Sequence, residues 1–175
     1  VDTPIIWELN VWYHTLNCGY TCRISGETDF PCIYGDRVGL GRIYVKMDQP
    51  QAPKATAAKP VVAKEQAIQG QIDFDRWVDG LRDGRSYCCD GLSHLLDFKV
   101  NDLGVGEPGD GGRKSFLEVK SGDKLKISGK TSALLEDVPR EEIRKAPLSS
   151  KPYWHVERAR IGDSNKVPVE LVVNG

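Results

Sequence analysis

Apolar positions recur at helical spacing in two stretches of the chain and alternate along most of the rest. Ile5, Leu9, Trp12 and Leu16 share one face of a helix predicted over residues 4–18, and Ile6 and Tyr13 widen that face. Thr3 is placed to cap this helix, Pro4 suits its first turn and Gly19 its end. So broad an apolar face belongs against a sheet or other helices. A second helical face is formed by Phe74, Trp77, Val78 and Leu81, with Gly84 as the expected left-handed terminator. Residues 85–89 then read as a strand leading to a turn at Asp90-Gly91.

Shorter β signals surround these helices. Residues 21–25 and 42–47 read as strands, separated by loop chemistry at 26–31 and a glycine-rich loop at 34–41. From residue 85 onward the pattern is all β. Leu95, Phe98 and Val100 mark one strand, and residues 102–112 a glycine-rich loop. Residues 115–120 and 124–128 read as a hairpin about the turn Ser121-Gly122-Asp123. Residues 131–135, 154–161 and 167–173 complete the set, with a polar loop over 138–150. The expected class is α+β: a helix with strands in the first part, followed by an antiparallel β-sandwich. Residues 49–70, rich in Ala, Pro, Lys and Gln without apolar period, form a connector between a first part, 1–48, and a second, 71–175.

Composition narrows the function classes. Charged residues make up 28% of the 175, the net charge is −1, and both signs are mixed along the chain. With no basic stripe interleaved with aromatics, no nucleic-acid partner is expected. No apolar run approaches the roughly 18 residues of a membrane span, so no membrane partner is expected either. The chain opens on valine and its sole methionine is Met47, while Asn174-Gly175 calls for a further strand. Both ends are therefore expected to be cut, the β-domain to be truncated at its C-terminus, and the unpaired strand edges to favour self-association.

Candidate chemistry is sparse. Asp29, just beyond a short strand, is the favoured metal-binding carboxylate, with Glu27 second and His14 as a cleft-lining neighbour. The competing reading of Asp29 is a turn-organising aspartate before Phe30-Pro31. His14, His94 and His155 stand apart, without His-x-His or His-Glu-x-x-His spacing, and read as structural or surface histidines. Cys18, Cys22 and Cys32, with His14, offer a zinc alternative. Five cysteines cannot all pair within one chain, and buried thiols are the simpler account. Trp154, Arg158 and Arg160 would share a strand face able to bind a carbohydrate, an anionic group or a protein partner.

Taken in order, several motifs resemble one family. They are His14 with Leu16-Asn17-Cys18-Gly19-Tyr20, Ser25-Gly26-x-Thr28-Asp29-x-Pro31, Val38-Gly39-x-x-Arg42-x-Tyr44-Val45 and Trp77-x-x-Gly80-Leu81-Arg82-x-Gly84-Arg85-Ser86-Tyr87. With the tail at 151–164 and 167–175, they resemble the C-terminal part of PHP-domain metallohydrolases of the CehA/McbA type from environmental bacteria. The resemblance implies that residues 1–48 are the end of a distorted α/β barrel that holds Zn, Mn or Fe and hydrolyses a small-molecule phosphoester, ester or carbamate by metal-activated water. It places Asp29 at the last metal-binding segment and favours a periplasmic or secreted location. Pro31 stands where the family pattern has histidine, and the family's earlier histidines are not in this chain. The expectation is thus a fragment that binds no metal and is inactive by itself, from a hydrolytic parent. A non-enzymatic β-sandwich module that binds carbohydrate or protein is the alternative.

Overall fold

The computed structural model describes residues 5–27, 39, 41–47, 73–147, 149–150 and 155–175. These residues form a mixed α+β structure with two small antiparallel sheets, and among them there is no closed barrel. Helix α1, Ile5–Asn17, matches its apolar spacing, and Gly19 ends it at φ +86°. Trp12 donates its indole N–H to the Cys22 carbonyl at 3.2 Å, which folds the following segment back on the helix. That segment, 21–25, alternates in exposure as a strand would, but it joins no ladder among the described residues. Of the predicted apolar face of α1, Leu9, Trp12 and Tyr13 are half-buried while Ile6 and Leu16 are exposed, and Trp7 (58%) and Val11 are exposed on the opposite side of the helix.

Strand β1, Arg42–Val45, pairs antiparallel with β2, Ser86–Cys89, in the register Arg42↔Cys89 to Val45↔Ser86. The two segments on either side of the expected connector therefore share one sheet. Between them lies α2, Phe74–Asp83, capped by the Asp73 side chain, which accepts from the Arg76 amide at 3.1 Å. Gly84 closes it in the left-handed region at φ 81°, ψ 20°. Gly80, in mid-helix, is buried because α2 crosses the end of β1 there. A Cβ at this position would sit 2.6 Å from Val45 Cγ1 and 3.0 Å from the Lys46 carbonyl oxygen. That approach selects which side of α2 is covered: Trp77 and Leu81 are half-buried, whereas Phe74 is 69% exposed and stacks on Trp77.

Beyond β2, Asp90 makes the corner. Its Oδ1 accepts from the Leu92 amide (2.8 Å), the Ser93 amide (3.1 Å) and the Ser93 hydroxyl (3.2 Å), an Asx turn that feeds β3, Ser93–Val100. β3 is the centre of the second sheet, flanked by β4, Leu103–Gly104, and β5, Ile127–Ala133. The β3–β5 register runs to Leu96↔Lys130 and resumes at Lys99↔Ser128. Asp97 and Phe98 thus oppose Gly129 alone, a β-bulge with Asp97 in the left-handed region at φ 54°.

Several expected strands are absent among the described residues, so the β-sandwich does not emerge from them. Residues 115–120, 124–126 and 167–173 enter no ladder; one bridge links Pro108 and Lys114. The turn at 121–123 does form: the Asp123 amide donates to the Lys120 carbonyl at 3.0 Å, and the Lys120 amide to Asp123 Oδ2 at 2.8 Å. Its arms are almost wholly exposed and gain nothing from alternation without a layer to cover one face. The polar loop over 138–150 contains a short helix, α3, Glu141–Arg144, with Glu141 paired to Arg144 and to Lys145.

The strand expected over 154–161 is replaced in its described part by a 3-10 turn, Val156–Ala159. A strand would put Glu157 and Arg160 on opposite faces; the helical turn brings them together. Arg160 Nε and Nη2 meet Glu157 Oε2 and Oε1 at 2.8 and 2.7 Å, with side-chain exposures of 1% and 0% for the two residues. The pair is tied in further: the Glu136 amide donates to Glu157 at 2.7 Å, and Arg160 donates to the carbonyls of Glu136 and Ser164. Hydrogen bonds from Arg160, offset in part by burial, hold the Glu157 carboxyl down at about 2.

Candidate functional site

The residues singled out from the sequence do not converge as a group. Asp29 and Trp154 lie outside the described residues. Glu27 sits beside the start of β1, its carbonyl oxygen 2.6 Å from where a Cβ on Gly41 would fall, so glycine alone permits that approach. His14 is exposed on α1. Arg160 is not on a solvent-facing strand face but in the buried ion pair. Arg158 donates to the carbonyls of Ala146 (2.7 Å) and Ser150 (3.3 Å), behind α3. The surface expected from Trp154, Arg158 and Arg160 thus has its two arginines engaged internally.

Of the expected metal-binding carboxylates only Glu27 is described, and among the described residues no three His, Cys, Asp or Glu side chains gather as ligands. The described residues do not by themselves fit a metal ion. Among the described cysteines, Cys18 is exposed, Cys22 and Cys88 are half-buried and Cys89 is buried, all four as free thiols. Burial, reinforced by the neighbouring Cys89, pushes the Cys88 thiol up to about 11, and burial raises Cys89 as well. At neutral pH these two are protonated packing groups, not nucleophiles.

What the fold does assemble is a half-open cleft of about 900 Å³ between the end of the β1–β2 ladder and the bulged stretch of β3 and β5. Its apolar side carries Tyr44 and Tyr87, register partners whose rings stack 5.3 Å apart at 9°. His94 stands edge-on to both, and its Nδ1 shares a 2.7 Å hydrogen bond with Tyr87 Oη. Burial, with lesser effects from Cys89 and Tyr44, raises the Tyr87 hydroxyl above its ordinary value and keeps it protonated. His94 is therefore a satisfied structural histidine, and its ring fixes the tyrosine pair.

The polar side of the cleft is mainly cationic. Lys46, Arg85, Lys99 and Lys130 line it, against two carboxylates, Asp97 and Glu107. Asp97 is paired with Lys130 at 2.9 Å, and Glu107 Oε2 accepts from the Gly104 amide at 3.0 Å. The Lys130 hydrogen bond lowers the Asp97 carboxyl, and the fields of Lys46 and Lys99 lower it further, so three ammonium groups act at one point. Arg85 is anchored: its Nη1 meets Asp83 Oδ2 at 2.8 Å, and Lys114 meets the same oxygen at 3.2 Å. Gly106 admits the Arg85 stem, since a Cβ there would lie 2.2 Å from Arg85 Cγ.

The cleft is not legible in the sequence. Tyr44, Arg85 and Tyr87 stand inside the quoted motifs, but nothing local tells that β1 pairs with β2 across the connector. Comparisons of the chain with protein-family models, with curated proteins and with solved structures return no match.

Proposed function

We propose that the chain is the C-terminal part of a PHP-type metallohydrolase, with Asp29 as its contribution to the metal site and Glu27 beside it. The observation that carries this reading is the apolar surface left exposed on two sides of α1, Ile6 and Leu16 on one and Trp7 and Val11 on the other. A self-sufficient module buries most of such surface; a helix from one end of an α/β barrel leaves it for the rest of the barrel. The join from α2 through Gly84 to β2, which bears the Leu81-Arg82-x-Gly84-Arg85-Ser86-Tyr87 motif, also packs against the Arg42–Val45 strand as one continuous part of such a protein requires. A divalent metal in the parent would supply hydroxide at neutral pH for phosphoester, ester or carbamate cleavage. The role left to this chain is to present Asp29 and to close one side of the barrel.

The test is to express the protein encoded by the complete reading frame and assay nitrophenyl phosphoesters, esters and carbamates with Mn²⁺ and Zn²⁺. Hydrolysis abolished by chelation and reduced at least about 100-fold by Asp29→Asn supports the reading. A metal-independent or inactive full protein refutes it. A second reading, a non-enzymatic binding module, is favoured by the Tyr44–Tyr87 cleft and would survive that result.

A further inference from the structure

We propose that the cleft between β1–β2 and the bulge of β3 binds a small organic anion: a phosphate, sulfate or carboxylate group carried on a flat ring. Four cationic side chains from separate segments line one space, Lys46 after β1, Arg85 before β2, Lys99 on β3 and Lys130 on β5. The carboxylates among them are already engaged, Asp97 by Lys130 and Glu107 by the Gly104 amide. Among the described residues Lys46 and Lys99 have no ion-pair partner within 4 Å, although both act on Asp97 from a distance. The unmatched charge of the cleft is therefore positive, and an anion is what complements it.

The aromatic part of the lining specifies the rest of the ligand. Tyr44 and Tyr87 are locked as a stacked pair, and the Tyr87 hydroxyl is taken up by His94. What they offer is ring surface and not a hydrogen-bonding end, which suits a flat ring more than a bare ion. Phe98 and Val105 extend this surface beside the lysines. The bulge matters because Asp97, held at φ 54°, carries its carboxylate to Lys130, where it satisfies one ammonium and leaves the other two available. A volume of about 900 Å³ accommodates a ring with its anionic substituent and leaves room for more.

This site uses none of the residues assigned to the metal segment, and its test reads binding and not hydrolysis, so the two proposals stand or fall separately. Phenyl phosphate, phenyl sulfate and benzoate are titrated into the chain by NMR and calorimetry, beside neutral benzyl alcohol and inorganic phosphate. At least one aryl anion is expected to bind about tenfold more tightly than either reference, with affinity falling as salt rises. Which of the three binds identifies the oxyanion. The double variant Lys46→Gln/Lys99→Gln is expected to weaken that binding about tenfold, and Lys166→Gln, outside the cleft, to leave it unchanged. Both lysines are exposed, so circular dichroism should show the double variant folded. Should it not fold, amide shifts confined to residues around Tyr44, Phe98 and Gly129 in the unsubstituted chain carry the test. Equal binding of benzyl alcohol, no binding at millimolar concentration, an unaffected double variant, or shifts scattered elsewhere would each overturn the proposal.

Discussion

Gly80→Ala sets two well-calibrated effects against each other. In an isolated helix the change is favourable by about 0.8–1.0 kcal/mol, because alanine loses less backbone freedom than glycine. In this fold the added Cβ would lie 2.6 Å from Val45 Cγ1 and 3.0 Å from the Lys46 carbonyl oxygen. One contact is a side-chain methyl that can rotate; the other is backbone at the end of β1 and moves only if the α2–β1 packing opens. Overpacking of this kind costs about 1–3 kcal/mol. The cost exceeds the helix gain, so the net expectation is a loss of about 1 kcal/mol, up to about 2. Urea unfolding followed by circular dichroism measures it. Val45→Ala removes the nearer contact, so in its background Gly80→Ala should cost at least about 0.5 kcal/mol less, a coupling readable from the double-mutant cycle. A Gly80→Ala chain as stable as the original, with no coupling to position 45, would mean that α2 does not pack on β1 as described.

Two further substitutions probe the polar interior. Asp90→Ala leaves the Leu92 and Ser93 amides without their acceptor in a partly buried corner, and should cost about 2–3 kcal/mol; Asp90→Asn, which keeps an acceptor oxygen, should cost under about 1 kcal/mol. Equal losses for Ala and Asn would show that charge, and not the Asx turn, is what the site needs. For Glu157 the folded carboxyl lies at about 2, below its ordinary 4.5, so its stabilisation is complete above about 4.5 and is lost as pH falls towards 2. The urea midpoint should therefore drop across that window, and Glu157→Gln, already less stable at neutral pH, should show a shallower fall; parallel curves would remove the pair from the acid response.

The parts legible in the sequence are those whose signals are local. The spacing of Trp77, Leu81 and their neighbours, the left-handed Gly84 and the Asp90-Gly91 turn each act within a few residues, and all three are found where expected. The strand expected over 154–161 failed because alternation is a weak signal when no layer covers the strand. There an Arg–Glu pair three residues apart has a better arrangement in a helical turn, with both charges satisfied. The cleft was not legible for a different reason. Tyr44 and Tyr87 are 43 positions apart, and their stacking follows from a register that only the folded β1–β2 pair defines.

The balance of buried groups bears on how such a chain stays folded. Among the described residues the side chains withdrawn from water are as much polar as apolar: Asp90, Glu157 and Arg160 beside Cys89 and Val156. A buried ion pair specifies geometry but adds little net stability, because desolvation consumes most of its attraction. Apolar burial, the usual source of stability, is small among the described residues, while Trp7, Ile6 and Val11 on α1 and Val169, Leu171 and Val173 near the far end face solvent. A binding module that works alone has no use for that arrangement, since its exposed apolar residues would invite aggregation without stabilising the fold. On the proposed reading as part of a larger hydrolase, the exposed apolar residues of α1 would become core once the rest of the protein covers them. The proposed metal segment at Asp29 would then need the remainder of such a protein, whereas the proposed cationic cleft takes its walls from this chain's own strands.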